Sequence, residues 1–297
     1  MLQPRLPSRA CPVQRRQLAR QLAALAALGA SLIALVGACA SDEAGFAGVA
    51  SARLRQLRER GRLVCGINGQ LPGFSVITSS GRYTGLDVDV CRAVAAAALG
   101  DPGKLELRPL NLTDRFAALA SGDVDLLSRN TTITLSRDAT GGNALRFAPV
   151  VFHDGGGIMA PVRGPVRALR SLAGQTVCVL TGSSNESVLA DRLRQLSLPY
   201  TALRFQTADQ AFTAYRSGRC AAIVSDRAGL AAQRSRLPDP AAHRILPELL
   251  SKEPQAPATI QADPAWADAV RWVVYALIEA EERGITQANV KQRLAAA

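Results

Sequence analysis

The chain has 297 residues, 48% of them hydrophobic and 4% aromatic, and a formal net charge of +11. This length allows one large domain or two lobes. The basic residues are almost all arginines, spread singly, with no basic run longer than two residues. The charge pattern therefore favours arginines on solvated faces and argues against a nucleic-acid partner.

The first forty residues differ from the rest of the chain. Five arginines and no acidic residue lead into an uncharged apolar run over 21–40. We predict that 1–40 is a signal peptide of the lipoprotein type, because LVGAC at 35–39 places Cys39 where acylation would occur. Ordinary cleavage after Ala40 and a retained anchor helix are the alternatives. In each case 41–297 would lie outside the cytoplasmic membrane, held at the membrane surface if Cys39 is acylated.

After a tether and short helix over 41–60, closed by Gly61, strand and helix patterns alternate. The segments RLVCGI, KLELRPL and DVDLLS are typical of strands. One helix covers 86–100, and a second, with Thr113 as its predicted N-cap, ends near Gly122. This βαβαβ series predicts a mostly parallel sheet flanked by helices.

The same order repeats in the second half of the chain. The strands QTVCVL, TALRFQ and RCAAIVS alternate with the helices SNESVLADRLRQL and ADQAFTAYRSG. Two extended segments, 147–160 and 244–260, join the two series, which predicts an α/β fold of two lobes with a two-segment hinge. The predicted boundaries are 61–150 plus 256–297 for lobe 1 and 151–255, with the hinge crossings, for lobe 2.

Four cysteines remain when the two in the signal segment are set aside. An oxidising compartment favours disulfides, and four cysteines allow three pairings. We predict Cys65–Cys91 and Cys178–Cys220, because each of these bonds stays within one predicted lobe. A zinc site is not expected, since the chain has no C-x-x-C motif and only two histidines.

Several blocks of sequence together resemble one protein family. GRLVCGINGQLPGFS, GRYTGLDVDVCRAVAAA, SGDVDLLSRNTTITLSRD, VCVLTGSS, SGRCAAIVSDRAGL and ITQANV are similar to the family 3 type extracytoplasmic solute-binding proteins of polar and general L-amino-acid ABC importers, over about 51–290. The resemblance implies a bilobed periplasmic-binding-protein clamshell. It also implies an L-amino acid in the cleft, delivery to permease subunits in the membrane, a monomer, no cofactor and no catalysis.

The segment NTTITLSRD, residues 130–138, carries the predicted carboxylate site. A guanidinium can grip a carboxylate with two parallel hydrogen bonds, which suits Arg137 to the α-carboxylate of an amino acid. The resemblance implies that Thr132 and Arg137 hold this carboxylate, with Asn130 nearby. The alternative is that Arg137 pairs on the surface with Asp138 or Asp114.

Lobe 2 is expected to supply the opposite side of the site. Ser183 or Ser184 begins a helix, where free N–H groups attract anions, although Ser184 would also serve as a cap for that helix. Asp226 matches the acid that binds the ligand ammonium in the family; its alternative role is also a helix cap.

Lobe 1 offers three further candidates for ligand contact. Asn68 is a second candidate for the ammonium. Leu71 and Phe74 are candidates for an apolar wall, with a core position as the alternative for Phe74.

Other functions are left open by a few features. Asp87 and Asp89 begin a helix whose dipole favours acids, so we interpret them as structural residues and not as a general acid and base. The family usually has Gln at Gly156 and continues for several dozen residues after ITQANV. A non-transporting sensor or scaffold, or an altered-ligand paralogue with a shortened C-terminus, is therefore the alternative function. A periplasmic dehydratase on the same fold is the enzyme alternative.

Overall fold

The computed structural model describes residues 51–296. The predicted signal over 1–40, Cys39 and the first part of the tether lie outside the described residues. None of the helices within 51–296 is both long enough and apolar enough to cross a membrane.

The described chain alternates strands and helices in the predicted order. The strands are β1 Leu63–Ile67, β2 Gln70–Leu71, β3 Ser75–Ile77, β4 Tyr83–Thr84, β5 Leu105–Pro109, β6 Leu126–Leu127, β7 Leu145–Phe147, β8 Phe152–Pro161, β9 Thr176–Leu180, β10 Thr201–Phe205, β11 Ala222–Asp226, β12 His243–Ile245, β13 Lys252–Gln255 and β14 Ala258–Ile260. The α-helices are α1 Ala52–Arg60, α2 Leu86–Leu99, α3 Arg115–Ser121, α4 Leu135–Asp138, α5 Ser184–Gln195, α6 Ala208–Arg216, α7 Arg227–Arg234, α8 Pro264–Glu282 and α9 Val290–Ala295.

Two main sheets form, one from each half of the predicted repeat. The first has the strand order β5-β1-β6-β14-β7, and the second has the order β10-β9-β11-β8-β12, with β13 pairing β8. In each sheet the βαβαβ series pairs in parallel, while β14 in the first sheet and β8 in the second run antiparallel to their neighbours. The α/β architecture is confirmed, and both sheets are mixed because β8 and β14 run against the parallel strands.

The long helix α8 returns the chain to the first sheet. It packs against α2, β7 and β14. Trp266 is fully buried there and donates its Nε1–H to the carbonyl of Asp125 at 2.8 Å. Asp263, before α8, accepts from the Ser51 hydroxyl at 2.8 Å, so the beginning of the described chain is joined to the start of α8.

Both predicted cysteine pairs are joined in the structure. Cys65 in β1 is bonded to Cys91 in α2, with the Cα atoms 6.2 Å apart, and Cys178 in β9 is bonded to Cys220 just before β11, at 5.6 Å. Each bond ties neighbouring elements of one sheet layer. Loops of 26 and 42 residues correspond to roughly 3–4 kcal/mol of stabilisation each in the chain-entropy account.

The N-caps of two helices are not the residues considered in the sequence analysis. Thr113 is not an N-cap: α3 begins at Arg115, and the Thr113 hydroxyl donates to Asn111 and Asp114 in the preceding loop. In α5 it is Ser183 that caps, accepting from the N–H of Glu186 at 3.1 Å, and Ser184 is the first helical residue. In both cases the N-cap position differs by one residue from the residue considered in the sequence analysis.

Candidate functional site

A cavity of about 230 Å³ opens where the carboxyl ends of the parallel strands of both sheets face each other. It is smaller than the roughly 300–1,000 Å³ typical of sites for drug-sized ligands, so it suits a small metabolite. The predicted ligand residues that line the cavity are Asn68, Asn130, Thr132, Arg137, Ser183, Ser184 and Asp226.

Arg137 lies on the side of the first sheet, in the short helix α4, and its side chain is buried. Its Nη1 donates to the carbonyl of Thr132 at 2.7 Å, and its guanidinium carbon lies 5.5 Å from the ring centre of Phe116. No carboxylate of residues 51–296 pairs with it, so the surface ion pairs with Asp138 or Asp114 are not formed. Burial lowers the pKa of Arg137, and the charges of Glu253 and Asp226 partly oppose this.

Asp226 lies on the opposite side, at the end of β11, and three amides hold its carboxylate. Asn185 donates to Oδ1 at 2.7 Å, while Gln255 at 2.9 Å and Asn130 at 3.2 Å donate to Oδ2. The side chain makes no capping bond to α7, which excludes the helix-cap alternative. Burial raises the pKa of Asp226 to about 6, although the Asn185 hydrogen bond lowers it.

Asn130 makes hydrogen bonds to residues on both sides of the cavity. It has a left-handed backbone, with φ of 39°, a conformation that asparagine tolerates better than most residues. Its N–H donates to Asp87 at 3.1 Å, and its side-chain oxygen accepts from Asn68 at 3.3 Å. Asp87 therefore has the structural role that was predicted, and it positions the loop that carries Asn130.

The two serines at the start of α5 have different partners. The Ser183 hydroxyl donates to the carbonyl of Leu180 at 2.7 Å in addition to capping the helix. The Ser184 hydroxyl donates to Glu253 at 2.8 Å. Both serines line the cavity. Among the described residues, the Ser184 hydroxyl donates a hydrogen bond but accepts none.

Of the two candidates for an apolar wall, Leu71 lines the cavity and Phe74 does not. Phe74 is buried, and its ring packs edge-on against Phe152 with centres 4.9 Å apart, so Phe74 has the alternative core role. Leu71 lines the cavity together with Pro109, Leu110 and Leu112.

Sequence reasoning missed five residues of the site. Arg115 and Arg129 line the cavity from the first sheet and are almost completely buried, at 2% and 5% exposed. Asn185, Glu253 and Gln255 surround Asp226 and Ser184. The only available signal was position: Arg129 directly precedes Asn130, and Asn185 follows Ser184.

Gly156 makes room for one of these residues. A Cβ atom at Gly156 would lie 2.6 Å from Oδ1 of Asn185 and 2.7 Å from Oγ of Ser251, closer than real contacts allow. The absence of a side chain at Gly156 therefore leaves room for Asn185, which holds Asp226.

The cavity is built for binding. The buried guanidinium of Arg137 and the half-buried carboxylate of Asp226 face it from opposite sheets, with hydroxyls, amides and apolar side chains between them. In the described part of the chain, no three His, Cys, Asp or Glu side chains gather closely enough to hold a metal ion. The arrangement is complementary to a small molecule that carries both a carboxylate and an ammonium group.

Comparison with known proteins gives consistent matches. Residues 63–226 match the profile of the bacterial extracellular solute-binding proteins, family 3. The general L-amino acid-binding periplasmic protein AapJ of Rhizobium johnstonii is 42% identical over 267 residues, which are 90% of this chain and 75% of AapJ. The glutamate/glutamine/aspartate/asparagine-binding protein BztA of Rhodobacter capsulatus is 44% identical, over 83% of this chain and 72% of BztA.

A solved structure shares the fold. The ABC transporter periplasmic binding protein of Brucella ovis, with glutathione bound, is 44% identical and superposes with a TM-score of 0.75. The match covers 80% of this chain and 74% of the Brucella protein. This likeness confirms the predicted bilobed clamshell.

Proposed function

We propose that this chain, which belongs to the bacterial extracellular solute-binding proteins, family 3, binds an L-amino acid in its cleft and delivers it to the permease of an ABC importer. The observation that carries the proposal is the placement of Arg137 and Asp226 on opposite sheets of one small cavity. Arg137 binds the α-carboxylate and Asp226 binds the α-ammonium. The specificity is general or polar, as the names of AapJ and BztA indicate for those relatives.

The glutathione bound to the Brucella protein agrees with this proposal. Glutathione carries a free α-carboxylate and α-ammonium at its glutamyl end, so a protein 44% identical to this chain binds a molecule with an amino-acid head group. Thr132 and Ser184 add hydroxyl contacts to the α-carboxylate, and Asn68 and Asn130 orient the ammonium side. No group in this arrangement is given a catalytic role.

Each lobe supplies one of the two charged groups that bind the ligand. Lobe 1, over 61–150 plus 256–297, carries Arg137, and lobe 2, over 151–255, carries Asp226. Because both contacts exist together only when the cleft is closed, the ligand shifts the population toward the closed form, and the permease recognises that form. A dissociation constant near 1 μM, about −8 kcal/mol, is ordinary for such binding.

A thermal-shift screen tests the proposal. The purified protein is melted with each of the twenty L-amino acids, with the D-forms as controls. A ligand that binds the folded state alone raises the midpoint by mass action, so polar L-amino acids should raise it and their D-forms should not. A folded protein whose midpoint responds to no L-amino acid would contradict the proposal.

The affinity should depend on pH through Asp226. Its pKa is about 6 in the unliganded protein, and the ammonium pairs only with the ionised carboxylate. Binding should therefore weaken as pH falls through 6, and calorimetry should show about tenfold lower affinity at pH 5 than at pH 7. An affinity that is equal at pH 5 and pH 7 would show that Asp226 does not bind the ammonium.

A further inference from the structure

The cavity carries more positive charge than an amino-acid head group can neutralise. Three buried arginines line it, Arg115, Arg129 and Arg137, and Asp226 is the one carboxylate in the lining. If Arg137 binds the α-carboxylate and Asp226 the α-ammonium, Arg115 and Arg129 remain. The surroundings of these two arginines differ.

Arg129 has a balanced environment inside the protein. Its Nε donates to the carbonyl of Leu110 at 2.8 Å, and the buried Asp87 supplies a nearby negative charge. Asp87 is itself fixed by the N–H of Asn130 and the hydroxyl of Ser128. Arg129 therefore has both a hydrogen-bond partner and a counter-charge without a ligand.

Arg115 lacks a full set of hydrogen-bond partners, and the negative charge that acts on it is that of Asp226, the group assigned to the ligand ammonium. Its Nε is buried and makes no hydrogen bond, and its Nη2 reaches only the carbonyl of Gly182, at a long 3.4 Å. The guanidinium carbon lies 4.4 Å from the ring centre of Phe116, the same ring that Arg137 contacts. Burial, followed by the charges of Arg129 and Arg137, lowers the pKa of Arg115 to about 8.

The position of Arg115 also favours an anion beside it. Gly182 lies two residues before Ser184, where the twelve-residue helix α5 begins. The first N–H groups of such a helix attract negative charge. A guanidinium directed across the cavity toward this helix start would gain most from a ligand oxygen between them.

We propose that Arg115 binds a second carboxylate, carried on the ligand side chain, so that the cleft prefers L-glutamate and L-aspartate to their amides. This inference rests on the proposed function and narrows its substrate class. A neutral side chain would leave the Arg115 charge unpaired in a closing cleft, which is costly, whereas a carboxylate supplies the missing counter-charge and acceptor.

Calorimetry on the purified protein with L-glutamate, L-glutamine, L-aspartate and L-asparagine tests the preference. We expect each acid to bind about tenfold more tightly than its amide, the effect of one charge-assisted hydrogen bond. In Arg115→Met the ratio should fall to near one, because the acid loses its cationic partner and the amide no longer encloses an unpaired charge. Arg108→Met, which removes a half-buried arginine of β5 that pairs with Glu106, is the matched control and should keep the wild-type ratio.

The possible outcomes separate this inference from the proposed function. If the wild type binds amides as tightly as acids, or if Arg115→Met weakens both equally, the second carboxylate site is wrong while amino-acid binding stands. If no amino acid binds at all, the proposed function itself fails. If Arg115→Met does not fold, two other measurements test the second carboxylate site. The first is the acid-to-amide affinity ratio of the wild type, and the second is the same ratio for Arg115→Lys, which retains the charge and should retain the preference for acids.

Discussion

Replacing Arg137 by alanine is expected to weaken the binding of an L-amino acid by about 2–5 kcal/mol, the range seen when one partner of a buried, hydrogen-bonded charge pair is removed. The α-carboxylate would enter the closed cleft without its cationic partner. Because Arg137 is buried without an ion pair among the described residues, its loss should not lower the melting temperature of the unliganded protein. Calorimetric titration and thermal melts of the same samples measure both effects.

The matched control is Arg146→Ala, which removes an exposed arginine of β7 on the same side of the molecule. It should leave the affinity unchanged. Arg137→Lys should recover part of the lost affinity, since an ammonium keeps the charge but not the two-pronged geometry. If Arg137→Ala binds amino acids as tightly as the wild type, the carboxylate site lies elsewhere.

The second large effect is expected from Asp226→Asn, which should weaken the binding of an L-amino acid and stabilise the unliganded protein. Binding falls by about 2–5 kcal/mol because the α-ammonium loses its buried counter-charge. Stability rises because the pKa of Asp226 is raised to about 6 by burial, so the ionised carboxylate is less favourable in the folded than in the unfolded state. The amides of Asn185 and Gln255 each have an oxygen without a partner, so they can turn to accept from the new amide.

The pH dependence of this stabilisation has a defined sign. A carboxyl group with a raised pKa makes the folded state bind more protons than the unfolded state between about pH 4 and pH 6, so stability falls as pH rises through that window. The advantage of Asp226→Asn over the wild type should therefore be small at pH 4 and on the order of 3 kcal/mol at pH 7. Asp209→Asn, at an exposed position of α6, is the control, and a variant less stable than wild type at pH 7 would contradict the expectation.

Local sequence pattern was sufficient for the elements that carry the site. The alternation of strands and helices was predictable because β1, β9 and the helices after them follow simple hydrophobic periods ended by glycines. Arg137 and Asp226 were identified as candidates mainly through the family resemblance, and their positions after strands agree with a crevice at the carboxyl ends of parallel strands. The antiparallel pairing of β8 and β14 was not predictable, since the sequence of an extended segment does not show which strand it will pair with.

The residues that were missed owe their roles to long-range packing. Gln255 reaches Asp226 from a strand twenty-nine positions away, and no local pattern gives that contact. The sequence pattern gives Arg115 a solvated position in a short helix. In the structure Arg115 is buried, and Gly182, which follows a strand of the other sheet, lies against it. Phe74 does not line the cavity because its ring packs in the core against Phe152, which lies on a strand distant in sequence.

The most direct measurement is a crystal structure of the protein with its tightest-binding L-amino acid. The account predicts that the α-carboxylate lies within hydrogen-bonding distance of the Arg137 guanidinium and that the α-ammonium contacts Asp226, in the cavity between the two sheets. A ligand bound outside this cavity, or one whose head group touches neither Arg137 nor Asp226, would contradict it.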